Sequence, residues 1–190
     1  MSYSLNEYEA LCKKAARGIG MHWGQSEEVG KAARLLGTHG LDDGRLVLRA
    51  IETFGPQNAL WLGPALCDEG WTFEEPLVIR GIESPALMLP FLYMMVFDRN
   101  VSLCVTWDRF DAIVSSAGIY CILHDGLYKD GPLDISILEI SASRNYVLSA
   151  QSRVEIPHDI FDRLDSLAHK TYAPATEESR LAGAGVGLSD

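Results

Sequence analysis

Apolar positions along this chain change period near its middle. Up to residue 55 they recur every three or four residues, and beyond residue 100 they alternate. Those periods mark amphipathic helices and half-buried strands respectively. Ser4-Leu5-Asn6-Glu7 has the form of a capping box, with Ser4 as N-cap and Glu7 reaching back to it. Leu5, Tyr8, Leu11, Cys12, Ala15, Ala16 and Ile19 then share one helical side, and Gly18 and Gly20 stop the helix. A second helix is predicted to start at Ser26-Glu27-Glu28, where acids suit the positive helix end. Its apolar side is Val29, Ala32, Ala33, Leu35 and Leu36. A third is predicted from Asp42 or Asp43 to Phe54, before Gly55-Pro56.

Between residues 57 and 82 the pattern weakens under Pro64, Gly70, Pro76 and Gly81, and only 75–79 suggests a strand. Residues 85–97, P-A-L-M-L-P-F-L-Y-M-M-V-F, are the strongest apolar run. The run falls short of the about twenty residues that span a bilayer. It contains Pro90 and ends in Asp98-Arg99-Asn100, so a central buried helix is predicted, with Ser84-Pro85 as N-cap and first helical residue. From Val101 to Trp107 side chains alternate, and residues 112–123 read as one long strand or a tight pair. His124-Asp125-Gly126 and Asp130-Gly131-Pro132 are turns, and 135–140 is a further strand. Tyr146, Leu148, Ala150, Val154 and Ile156 face opposite to Ser149, Gln151, Arg153 and Glu155, as in a strand with one covered face. Pro157 opens a last helix that buries Ile160, Phe161, Leu164, Leu167 and Ala168.

The class implied is α+β. An N-terminal helical unit (1–55) and a central apolar helix pack with an antiparallel sheet, followed by a final helix and an extended C-terminal arm. A single domain is expected over 1–170, with 171–190 as a glycine-rich arm. A chain of 190 residues buries roughly 70% of its unfolded surface and needs no staples.

Charge narrows the class of partner. The net charge is −10, with 47% hydrophobic and 22% charged residues. That balance disfavours nucleic acid and anionic membrane and suits a soluble cytoplasmic protein. Lys13, Lys14 and Arg17 form the densest basic cluster, read as a solvated helix face. The start, Met1-Ser2-Tyr3-Ser4, lacks the basic and apolar regions of a signal peptide. Cys12, Cys67, Cys104 and Cys121 make no CxxC pair and sit among apolar neighbours, as reduced buried thiols do.

Motifs of known chemistry are missing. G-x-S-x-G, the Walker A loop and H-E-x-x-H do not occur, and His22, His39, His124, His158 and His169 are dispersed. No metal and no cofactor is expected. The acidic pairs Glu27-Glu28, Asp42-Asp43, Glu74-Glu75 and Glu177-Glu178 point their carboxylates apart. Asp108-Arg109-Phe110-Asp111 reads as a charged hairpin turn. Gly183-Ala184-Gly185-Val186-Gly187 has no helix after it, so it is no dinucleotide fingerprint; with Arg180 it could form a backbone nest for an anion.

Two readings follow. One is a non-catalytic oligomeric or binding protein that self-associates, with the C-terminal arm docked on the body or a neighbour. The other is a small-molecule enzyme or sensor that takes an anionic ligand where the tail meets the sheet. Arg180, Tyr172, His124, Arg109, Gly183 and Gly185 would form its site.

Two stretches also resemble an uncharacterised bacterial family associated with alphaproteobacteria. One is Ser4-Leu5-Asn6-Glu7-Tyr8-Glu9 with Lys14-Ala15-Ala16-Arg17-Gly18, Trp23-Gly24 and Ala32-Ala33-Arg34. The other is Thr171-Tyr172-Ala173-Pro174-Ala175-Thr176-Glu177 with Ser179-Arg180-Leu181-Ala182-Gly183-Ala184-Gly185. The family is a domain of unknown function. The resemblance therefore implies no catalytic residues, only that both ends belong to one unit.

Overall fold

A computed structural model describes residues 1–72, 75–129, 131–141 and 150–171. The C-terminal arm and the expected strand positions Tyr146, Leu148 and Ser149 lie outside the described residues, as do Asp130 of one turn and Glu74 of one acidic pair. The order of elements is β1 (Ser2–Ser4), α1 (Leu5–Gly18), α2 (Trp23–Thr38), α3 (Arg45–Glu52), α4 (Ala59–Glu69) and β2 (Leu77–Ile82). A 3-10 turn (Pro85–Leu87) then leads into α5 (Met88–Val96). After it come β3 (Ser102–Trp107), β4 (Phe110–Ser115), β5 (Gly118–Leu123), β6 (Leu133–Ile140), β7 (Arg153–Glu155) and α6 (His158–His169). The class is α+β.

Five strands form one antiparallel sheet in the order β2-β6-β3-β4-β5. The alternation read in 101–107 becomes a buried row of Leu103, Val105 and Trp107. Residues 112–123 are a tight pair, with Ser115 opposite Gly118. Phe110, Ala112, Val114, Ile119, Cys121, Ile135 and Ile137 complete the inner face. The helix α5 covers that face at β4 and β5 and meets α2 and α4 on its other sides. Met88, Leu89, Phe91 and Leu92 have no solvent exposure, as a helix apolar all round requires. Pro90 stands in the first turn, where its missing N–H costs no helical bond.

Four expectations need correction. First, α4 occupies the stretch whose pattern looked too weak for a helix. Asn58 caps it: its side-chain oxygen accepts from Leu60 N at 2.9 Å, and its amide donates to Ala50 O at 3.0 Å. Gly63 and Pro64 both fall inside it. Gly63 is a close approach, since a Cβ there would lie 2.1 Å from the ring of Phe91. Second, α2 begins at Trp23, with the Gln25 side chain accepting from His22 N at 3.3 Å. Ser26 is buried inside the helix and donates to His22 O at 3.0 Å. Third, Ser84 does not cap α5: it has φ 54, stands before the 3-10 turn, and its buried hydroxyl has no hydrogen-bond partner among the described residues.

Fourth, the strand around Val154 does not join the large sheet. β7 pairs instead with β1, Tyr3 opposite Val154. The N-terminal ammonium donates to Ile156 O at 2.7 Å, and Ile156 N donates back to Met1 O at 2.8 Å. Val154 and Ile156 point into the helical unit rather than the sheet core, and Tyr3 stacks on Phe161 of α6 at 4.9 Å. The chain end is thereby clamped between β7 and α6. The predicted capping box is present: Ser4 N donates to Glu7 Oε2 at 2.8 Å and Glu7 N to Ser4 Oγ at 3.3 Å.

The joint between α1 and α3 is a buried carboxylate. Asp42 Oδ1 accepts from Gly44 N and Leu46 N, each at 3.0 Å, and Oδ2 accepts from the Tyr8 hydroxyl at 2.6 Å. Asp42 thus caps α3 from ahead of the helix, while Gly44, with φ 100, turns the chain into it. Burial pushes the Asp42 carboxyl up to about 6, against the pull of the Tyr8 hydroxyl and the backbone donors. Burial also drives Tyr8 and Cys12 well above their ordinary values, with the Asp42 charge adding to both.

Two outcomes are expected. Because the folded value of Asp42 exceeds its unfolded value, its contribution is complete below about pH 4 and is lost as pH rises through about 6. Between those limits the stability difference between the wild type and Asp42→Asn changes by about 3 kcal/mol, against the wild type. Urea titrations at a series of pH values measure it; a flat difference refutes it. Gly63→Ala overpacks the contact with Phe91 and lowers stability by about 1–2 kcal/mol despite alanine's better helix propensity. Thermal melts check this.

Candidate functional site

The residues singled out by sequence fall into two groups. Tyr172, Arg180, Gly183 and Gly185 lie outside the described residues. Arg109 and His124 are brought to the same end of the sheet. Arg109 sits in the two-residue turn between β3 and β4 with φ 57, and His124 follows β5. The charged hairpin turn is as read. Asp125 lies between them and takes the guanidinium, with Arg109 Nη2 to Asp125 Oδ2 at 2.5 Å. An anion there would have to compete with that carboxylate. Lys129 pairs with Asp108 on the same turn.

The basic cluster of α1 is also engaged. Arg17 lies over the ring of Trp23 at 4.6 Å and Lys13 at 5.9 Å, and Arg17 donates to Met21 O. Lys13 further pairs with Glu27 at 2.8 Å. These cations hold the start of α2 against α1.

A cleft of about 730 Å³ lies elsewhere, between α2, α4 and the end of α5. From α2 come Gly24, Gln25 and Glu28, and from α4 Pro64, Cys67 and Asp68. Met94, Met95, Asp98 and Arg99 close it. Two contributions make it electronegative. Glu28, Asp68 and Asp98 supply three carboxylates against Arg99, with Lys31 drawing on Glu28 at 2.8 Å from outside. The C-termini of α4 and α5 also end at the cleft, each carrying partial negative charge, opposed by the first turn of α2. Burial pushes the Cys67 thiol up to about 11, and the charges of Glu28 and Asp68 add to the rise. The thiol donates to Phe91 O at 3.6 Å.

The walls between the carboxylates are soft and apolar: Met94, Met95, Pro64 and Cys67. Among the described residues no group of His, Cys, Asp and Glu side chains could hold a metal ion, so the carboxylates stand apart rather than forming one coordination shell. Sequence reading missed this site. Glu28 was legible only as a helix-start acid, Asp98-Arg99 only as the end of an apolar run, and Asp68 belonged to a helix that Gly63 and Pro64 concealed. The usable signal was acids placed just before or after helix termini on separate elements.

Residues 3–60 match a family model described as "Protein of unknown function (DUF3726)". This span holds the first of the two stretches noted in the sequence and runs from β1 to the start of α4. It contributes the α2 wall of the cleft and the Asp42 joint. No curated protein and no solved structure matches the chain. Among the described residues no helix is long and apolar enough to cross a membrane.

Burial of the thiols has a direct consequence. Cys12, Cys67 and Cys121, the last pushed up to about 12, should react slowly with Ellman's reagent at pH 8 in the native protein, and fully in guanidinium. A Cys67 that titrates as fast as an unfolded thiol would contradict the burial described for the cleft.

Proposed function

We propose that the protein is a non-catalytic cytoplasmic binding protein whose site is the cleft between α2, α4 and α5. Its ligand is an organic cation with an apolar stem. The observation that carries this reading is the convergence of Glu28, Asp68 and Asp98 with two helix C-termini around methionine walls. Separated carboxylates suit a ligand with spread positive charge or several ammonium groups better than a bare metal ion. Methionines adapt to an alkyl stem without demanding one shape. The lining offers no activated nucleophile, since its one thiol is held protonated by burial and by neighbouring charge. A chain of net charge −10 also attracts cations from a distance at low salt.

Thermal shift and titration calorimetry with spermidine and hexylammonium, at low salt and with acetate as control, test this. Saturating amine at about ten times Kd adds about 1.4 kcal/mol, a rise of about 2–6 °C. Glu28→Gln combined with Asp98→Asn should abolish it, and added salt should weaken it. No shift with either amine, or the same shift in the double variant, would overturn the assignment.

A further inference from the structure

The two edges of the large sheet are built differently. β2, at one edge, follows Pro76 and carries Arg80, and its register shifts between Ile79 and Ile82 around Gly81, which has φ 64. At that bulge the Gly81 N–H is taken by the side chain of Asp134 on the neighbouring β6, at 2.9 Å. Charge and a flanking proline are devices that stop an edge strand from pairing with another chain. β5, at the other edge, is Gly118-Ile119-Tyr120-Cys121-Ile122-Leu123. It has no charge and no proline, its one register shift falls near its end at Ile122, and among the described residues no strand pairs with its outer side. Ile122 is 56% exposed and Leu123 39%.

We propose that β5 is a self-association edge. A second copy of the chain adds its own β5 antiparallel to the first, about a two-fold axis, so that the two five-stranded sheets become one. Three features favour a second copy over another partner. An isologous contact requires a self-complementary strand, and a short uncharged β-branched strand meets that requirement in the antiparallel sense. The chain carries a net charge of −10, so two copies approach with least repulsion along a strand that holds no charge. Just past its end Asp125 is paired with Arg109, and Asp111, opposite Leu123, stands on the inner neighbour β4. A two-fold normal to the sheet also keeps inner residues inner. Ile119 and Cys121 of each copy would then extend the buried layer that α5 already covers at β5. This proposal does not depend on what the cleft binds.

Sedimentation velocity and light scattering of the full chain over a wide concentration range test it. The expected mass is twice 20.9 kDa. Ile122→Lys, on an exposed side chain, should weaken the dimer at least tenfold with an unchanged circular dichroism spectrum. Val78→Lys, on the other edge, should leave it intact. Amide exchange gives a second readout that needs no variant: β5 amides should exchange faster on dilution, and β2 amides should not. A chain that stays monomeric would overturn the proposal, showing the edge single or closed by the chain's own residues. A dimer untouched by Ile122→Lys, or equally weakened by Val78→Lys, would place the contact elsewhere and overturn it as well.

Discussion

The fold is organised by a helix that has no polar side. α5 buries Met88, Leu89, Phe91, Leu92 and Val96 in every direction, and leaving such a side chain in water costs about 1.5–3 kcal/mol. Covering it takes more than one layer. The sheet supplies one through Phe110, Val114 and Ile119, and α2 and α4 supply another. The contact with α4 is tight only because Gly63 lets that backbone down onto Phe91. The cover ends where α5 does, at Asp98 and Arg99, and the cleft opens there. The candidate site is thus a consequence of the core. It is the place where an apolar helix stops and its neighbouring helices have not yet closed.

The N-terminal unit is stabilised by other means. α1 and α2 bury small side chains, Ala15, Ala16, Ala32 and Ala33, which bring backbones close but contribute little apolar area each. Specific polar contacts compensate. Asp42 ties α3 to Tyr8, the capping box fixes the start of α1, and the β1–β7 ribbon binds the chain start to a segment more than one hundred and fifty residues away. Gly18 allows the same closeness between α1 and α6, since a Cβ there would lie 1.8 Å from Leu167 O. A buried carboxylate is a costly joint in water-free surroundings, and its four donors, the Tyr8 hydroxyl and the N–H groups of Gly44, Leu46 and Val47, keep it in register.

Periodicity made the helices of the first half and the strands of the second half legible, because each has one buried and one wet face. α1 shows this down to its capping box. α4 was hidden because its leading Ala59-Leu60-Trp61-Leu62 has no polar face and Gly63-Pro64 mimics a turn. The role of β7 was hidden for a different reason. Alternation says that one side of a strand is covered, but not by which element, and its pairing with β1 is long-range. The cleft was illegible for the same reason. Its carboxylates come from three elements, and each looked ordinary in its own segment.

Distribution of charge separates the cleft from the rest of this acidic surface. Several carboxylates elsewhere are answered locally: Glu27 by Lys13, Glu9 by Arg34, Asp125 by Arg109 and Glu52 by Arg163. Exposed pairs of this kind contribute little stability, but they flatten the local field. Within the cleft, Lys31 reaches Glu28 from the rim, while Asp68 and Asp98 lie beside helix ends of the same sign. Acids beside helix C-termini add to the negative field there instead of cancelling it. The end of α5 is therefore where that field and the adaptable apolar walls of Met94 and Met95 coincide.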